Sequence, residues 1–126
     1  MESEDLKLNE DHIWVKVSTK KGKIGISEYA QSELGEILCL DLPIVGDTVE
    51  KAEPFGEIES SKAVSELISP VSGTVVGVNE ELDNPSTIND DPYGEGWLIE
   101  VKLTNSKELD SLLDLEEYES FVEEQE

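Results

Sequence analysis

The sequence predicts a mainly β domain, a barrel or a sandwich, with a hairpin and one short helix ahead of it and helical structure at its C-terminal end. Three observations predict this. β-formers alternate in Ile13-Trp-Val-Lys-Val near the start. From Ile37 to Leu103 short apolar runs recur between Pro, Gly, Asn and Asp, the punctuation of tight turns rather than of crossover helices. Beyond Ser106 the apolar period lengthens to that of a helix. A chain of 126 residues fits one compact domain, so residues 1–126 read as a single unit.

In order, residues 1–11 are polar and are expected to be loosely ordered. From His12 the first strand runs through Val17, Thr19-Lys-Lys-Gly-Lys turns, and Ile24-Gly-Ile returns. Ser27 is placed to cap a helix over Glu28-Tyr-Ala-Gln-Ser-Glu-Leu, with Gly35 as its stop. Ile37-Leu-Cys-Leu is an apolar strand in which Cys39 reads as a small buried hydrophobe. Short strands follow around 48–50, 56–59, 63–68, 74–78 and 97–103. Gly46-Asp-Thr-Val and Gly73-Thr-Val-Val form a faint echo on either side of Lys62. In 106–126, Leu109, Leu112, Leu113, Tyr118, Phe121 and Val122 predict one or two amphipathic helices laid on the β core, their acidic face in water.

Charge excludes several functions. Against 31 acidic residues stand nine basic ones, giving a net charge of −22. All nine are lysines, so no arginine fork is available for phosphates or carboxylates. Such a surface repels nucleic acid and anionic membranes; it suits solubility, and steering towards basic docking sites. One histidine supports neither a metal cluster nor a histidine relay. In Asn89-Asp-Asp-Pro-Tyr-Gly-Glu-Gly the carboxylates miss the alternating spacing of a calcium loop, and a structured turn is the better reading. We therefore expect no metal and no catalytic site. An acidic start with no apolar run behind it resembles neither a secretory signal nor an Arg-rich presequence. With a single cysteine, a reducing compartment is expected. That is a prokaryotic cytoplasm, or the mitochondrial matrix if a presequence has been removed.

The residue that stands out is Lys62, the only lysine between Lys51 and Lys102. Phe55 and Ile58 approach it in alternation, Val64 and Leu67 leave it, and Ser60-Ser61-Lys62-Ala63 between them is small and polar. That pattern puts Lys62 at a hairpin tip. Spacing alone does not separate an ordinary turn lysine from a modified one.

The residues around it resemble a known family. Glu59-Ser-Ser-Lys-Ala, then Val64-Ser-Glu and Ser69-Pro-Val-Ser-Gly-Thr-Val, are similar to the lipoylation motif of glycine cleavage system H proteins. Gly25-Ile-Ser-Glu-Tyr-Ala-Gln-Ser-Glu-Leu-Gly, Asp41-Leu-Pro-Ile-Val-Gly, Val78-Asn-Glu-Glu-Leu, Asn84-Pro and Asn89-Asp-Asp-Pro-Tyr-Gly-Glu-Gly-Trp match further segments in order, from about His12 to Phe121. The resemblance implies a lipoyl/biotinyl-type barrel-sandwich hybrid with quasi-twofold symmetry and lipoate amide-linked to Lys62. Biotin carriers flank the corresponding lysine with methionines, whereas here Ser61 and Ala63 flank it.

The resemblance also implies a role. A non-catalytic carrier takes an aminomethyl group from a pyridoxal-phosphate glycine decarboxylase to a folate-dependent aminomethyltransferase. Dihydrolipoamide dehydrogenase reoxidises the arm, and a lipoate ligase or a lipoyl/octanoyl transferase installs it. Glu59, Ser60, Ser61 and Ala63 would shape the turn that the modifying enzyme reads, and Pro70 and Gly73 would set the return strand. A monomer is expected. Three positions depart from the family. Ile13 stands where an acid near the loaded arm is common, leaving Asp11 or Glu66 to supply a carboxylate; Ser61 replaces valine, and Ala52 replaces a turn glycine. Ile13 keeps open an H-like carrier for lipoate relay or sulfur transfer. An unmodified acidic interaction domain is the alternative of another class.

Overall fold

The computed structural model describes residues 6–18, 20–79, 86–90 and 96–125. Its strands are β1 (Leu6–Leu8), β2 (Ile13–Ser18), β3 (Lys21–Ile26), β4 (Ile37–Asp41), β5 (Thr48–Val49), β6 (Pro54–Ser60), β7 (Val64–Ile68), β8 (Gly73–Val78), β9 (Ile99–Leu103) and β10 (Leu113–Asp114). Helices α1 (Glu28–Leu34), α2 (Ser86–Asp90) and α3 (Leu115–Gln125), with a 3-10 turn at Ser106–Ser111, complete the described chain. Seven strands form one sheet in the order β10-β1-β2-β3-β9-β8-β5, and β4-β6-β7 form a second. The result is the mainly β fold expected, with the sheets stacked as a sandwich rather than closed into a barrel.

Alternation along β2 explains the layers. Ile13 and Val15 face the space between the sheets, where they join Ile24, Ile26, Ile58, Leu67, Val75, Ile99 and Val101. Trp14, between them, points to the other face and packs with Leu6, Leu8, Tyr118 and Val122 under α3. It has room because Gly25 is its cross-strand partner; a Cβ there would sit 2.7 Å from the indole.

The internal echo is physical. Its two halves pair with each other, Thr48 opposite Thr74 and Val49 opposite Gly73. A second correspondence is visible only in three dimensions. A Cβ on Gly56 would lie 2.2 Å from the Asp41 carbonyl oxygen, and one on Gly73 would lie 2.4 Å from that of Lys102. In both halves a glycine admits the closing residues of a neighbouring strand, which is why the return strand after Pro70 begins with glycine.

Three expectations need correction. Within the segment expected to be loose, Leu6–Leu8 is a strand between β2 and β10, and both leucines are fully buried. Burying each contributes about 1.5–3 kcal/mol, enough to fix an otherwise polar segment. Cys39 is exposed rather than buried, because a register shift between Ile37 and Cys39 turns Leu38 and Cys39 both outward. Residues 89–90 of the acidic loop end a short helix, α2, which buries Ile88; residues 91–95 lie outside the described residues. The C-terminal segment holds one α-helix and one 3-10 turn, with β10 between them. No described helix is long and apolar enough to cross a membrane.

Candidate functional site

Strands β6 and β7 form the hairpin anticipated around Lys62, paired from Glu57↔Glu66 to Glu59↔Val64. Ser60 organises its tip. Its side chain is buried, and its hydroxyl accepts from the main-chain N–H of Lys62 at 3.2 Å and of Ala63 at 3.1 Å while donating to the Ala63 carbonyl at 3.2 Å. The Ser60 N–H also donates to that carbonyl, at 2.8 Å. Ser61, Lys62 and Ala63 are exposed.

The tip is held from below as well. The Ser61 N–H donates to the Glu36 carbonyl at 2.9 Å. Asn89 fixes that segment in turn, its amide donating to Gly35 at 2.7 Å and accepting from the Ile37 N–H at 3.2 Å. Gly35 has φ +77°, and a Cβ there would lie 3.4 Å from both Lys62 Cε and Ser61 Oγ. The lysine stem therefore passes over the C-terminal end of α1. Glu59 stands on the outer face of the hairpin, exposed, opposite Cys39 and Val64.

Beside this hairpin lies a pocket of about 280 Å³. Ile13, Ile26, Ile58 and Leu67, all buried, supply apolar lining, and Tyr29, Ala30 and Leu34 of α1 complete it. Asp11, His12, Glu33, Ser65 and Glu66 bring polar groups. Ile58 is two residues from Ser60, so the pocket begins about 7 Å along the strand from the tip. Both acids expected near the arm thus reach one pocket, in different ways. Asp11 is exposed beside His12. Alternation sets Ser65 and Leu67 on the inner side with Ile58, and sends the Glu66 side chain outward with Glu57. Glu66, exposed, lines the pocket from edge strand β7.

His12 sits at the back, with φ +71°. Its Nδ1 is 2.7 Å from the Tyr118 hydroxyl, which is 2.7 Å from the Ser27 hydroxyl. Ser27 is fully buried and caps α1, its oxygen accepting from the Ala30 N–H. Tyr29 and Phe121 pack near the ring, at 5.0 and 6.3 Å. Burial lowers the pKa of His12 below its ordinary 6.5, while the charges of Asp11 and Glu33 oppose that shift.

A family model described as glycine cleavage H-protein matches residues 6–125. The chain belongs to the glycine cleavage H-protein family. It is 49% identical over 122 residues to a glycine cleavage system H protein of Carboxydothermus hydrogenoformans, covering 96% of this chain and 94% of that one. With the H protein of Halalkalibacterium halodurans identity is 50% over 122 residues, covering 96% and 95%. The crystal structure of a glycine cleavage system H protein from Mycobacterium marinum superposes with a TM-score of 0.87 at 38% identity, over 95% of this chain and 98% of that one.

Sequence reasoning singled out the lysine turn and Asp11 but not Glu33, which lines the same pocket, or Asn89, which braces the segment below the turn. Glu33 was within reach. Tyr29, Ala30, Glu33 and Leu34 recur at helical spacing, so the face of α1 that packs against the core also carries Glu33. Asn89 gave no local signal, since its partners at Gly35 and Ile37 are more than 50 residues away.

Proposed function

We propose that this H-family chain is a shuttle: Lys62 carries lipoate in amide linkage, and the arm takes the aminomethyl group of glycine from the pyridoxal-phosphate decarboxylase to the folate-dependent aminomethyltransferase. The observation that carries the reading is an exposed lysine on a turn fixed by Ser60 and Glu36, beside an apolar pocket. These residues fit the group. The turn offers the exposed Lys62 to a lipoate ligase or a lipoyl/octanoyl transferase. When bound, lipoate supplies a dithiolane that accepts the aminomethyl group by reduction and is reoxidised by dihydrolipoamide dehydrogenase.

The chain's own residues do the rest. Glu59 and Ser61 mark the turn for the modifying enzyme, and Ala63 and Gly73 keep the hairpin and return strand tight. Ile13, Ile26, Ile58 and Leu67, with Asp11 at the same pocket, would shield the end of a bound arm from water. The acidic surface steers the carrier towards basic docking sites on each partner. No residue of the chain catalyses a step, and the chain works as a monomer in the cytoplasm. Ile13 favours one second reading, in which the same arm serves lipoate relay or sulfur transfer.

Intact-mass measurement of protein from its native cell tests the first step. A single lipoyl increment is expected, and Lys62→Arg is expected to lack it; an unmodified wild-type chain would leave only the acidic interaction domain. The lipoylated protein mixed with glycine, labelled bicarbonate and the decarboxylase is then expected to support carboxyl exchange, and no exchange would favour the second reading.

A further inference from the structure

The few lysines of this acidic chain are not spread evenly. Of its nine, Lys16, Lys20, Lys21, Lys23 and Lys102 lie on β2, β3, β9 and the turn between β2 and β3. Alternation places the strand lysines on one face. Val15, Ile24, Ile99 and Val101 point into the inter-sheet core, so Lys16, Lys21, Lys23 and Lys102 point out of the other side of the large sheet. Lys16 stands directly opposite Lys23, and Lys21 directly opposite Lys102. Like charges in opposed positions destabilise a sheet, and this one holds two such pairs in adjacent rows. Glu100 is the acid of these rows, opposite both Lys23 and Gly77. Its carboxylate leans over Gly77, one oxygen 3.7 Å from the place a Cβ would take there. Lys23 is held by a ring instead, its ammonium 5.0 Å from the Trp97 centroid, a contact that leaves its charge uncompensated. Lys20, Lys21, Lys23 and Lys102 are exposed, and Lys16 is half-buried.

We propose that this face of β2, β3 and β9 is a docking surface for an acidic helix of a partner protein. The zigzag Lys16-Lys23-Lys21-Lys102 crosses two strand spacings and one two-residue step, about 12 Å end to end. Carboxylates at i, i+4 and i+8 of a helix also span about 12 Å, along one face. Lysines act as separate point charges and suit separate carboxylates, which need no bidentate fork. A long polyanion or an anionic membrane fits worse. It would run past the lysines onto α3, which packs over the Trp14 end of the same face and carries Glu116, Glu117, Glu119, Glu123 and Glu124. The face also lies away from the arm site. It belongs to the sheet that does not contain the β6–β7 hairpin. Lys21 is about 17 Å back along β3 from Ile26, which lines the pocket beside that hairpin. A partner seated here leaves Lys62 uncovered, so the docking does not depend on what Lys62 carries.

The test titrates the full-length chain, at low ionic strength, with an end-capped alanine–glutamine helical peptide bearing glutamates at i, i+4 and i+8. The amide NMR signals of Gly22, Lys23 and Lys102 are expected to shift, and those of Ser61 and Lys62 to stay. Lys16→Gln with Lys21→Gln should weaken binding about threefold to tenfold, because each exposed ion pair contributes little alone. Added salt should weaken wild-type binding. Lys7→Gln with Lys51→Gln makes the same change in net charge outside this face and should alter affinity less than about twofold. The patch variant breaks both opposed lysine pairs, so its Tm should be kept or raised. Unmoved amides on the face, or equal affinity of the two variants, would overturn the proposal. So would equally tight binding of a peptide with the same glutamates at scrambled spacing. A patch variant that melts lower would make these lysines part of the sheet's own stability and overturn it as well. Tighter binding of oligothymidylate or of phosphatidylserine vesicles, or a dimer of this chain that the patch variant loses, would overturn it in favour of another occupant.

Discussion

Replacing Ser60 by alanine isolates the device that presents Lys62. Its hydroxyl holds two main-chain N–H groups, at 3.2 and 3.1 Å, and one carbonyl at 3.2 Å. A neutral hydrogen bond contributes about 0.5–1.5 kcal/mol net, and bonds of this length belong at the lower end. Three of them would sum to about 2 kcal/mol. Lys62 and Ala63 are exposed, however, so water can reach part of what the hydroxyl leaves. The expected destabilisation is about 1–1.5 kcal/mol, or roughly 4–6 °C in Tm for a domain of this size. The functional effect should be separate and larger in relative terms. The Ser60 N–H to Ala63 carbonyl bond survives, so the hairpin persists while Lys62 samples more conformations. The kcat/KM of lipoylation, measured on unmodified protein with a purified ligase, should fall about threefold to tenfold, as expected when about 1 kcal/mol of preorganisation is lost. Ser61→Ala is the internal comparison. It leaves the Ser61 N–H to Glu36 bond intact and should change stability by less than about 0.5 kcal/mol. If Ser60→Ala keeps both its Tm and its lipoylation rate, the turn is not organised by that hydroxyl and the reasoning fails.

Two further perturbations follow from the backbone and from the single histidine. Ala52 is held at φ +73°, which costs an L-residue about 1–2 kcal/mol; glycine relieves that but frees the unfolded chain by about 0.4–1 kcal/mol, so Ala52→Gly should gain up to about 1.5 kcal/mol in urea denaturation, and a loss would refute the strain. His12 has its folded pKa lowered by burial, so the stability of its neutral form is fully present above the unfolded value of 6.5 and is lost as pH falls through the folded pKa. Its NMR titration should give a midpoint below 6.5, and Glu33→Gln should lower that midpoint further by removing one of the charges that raise it; a midpoint above 6.5 would contradict the burial argument.

How much of this was legible in the sequence depended on the distance over which each residue's reasons act. The β6–β7 hairpin was readable because alternation and turn chemistry are local; Phe55, Ile58 and Leu67 are buried as their spacing indicates. The cap at Ser27 was readable for the same reason. Strand β1 was not, because three residues carry little periodicity and its partners arrive from β2 and β10, the latter more than 100 residues away. Cys39 misled because the rule that puts apolar neighbours inside assumes an unbroken register, and the shift after Ile37 breaks it. Asp11 and Glu66 were both named for the arm, and both line the pocket, Asp11 from the turn before β2 and Glu66 from β7.

The same distinction explains where the acid of the pocket is found. Ile13 adds to the inter-sheet core at a position that faces both that core and the pocket, and burying it contributes about 1.5–3 kcal/mol that a carboxylate there would forgo. A charge on the exposed face of α1 meets no such conflict, because Glu33 is exposed. Its position relative to Asp11 is set by Ser27, which caps α1 through Ala30, accepts through its oxygen, and meets Tyr118, the residue that also contacts His12. A buried polar network therefore ties the helix that carries one acid to the turn that carries the other. Tyr118 belongs to α3, so a helix far from Lys62 in sequence helps to fix the pocket beside it.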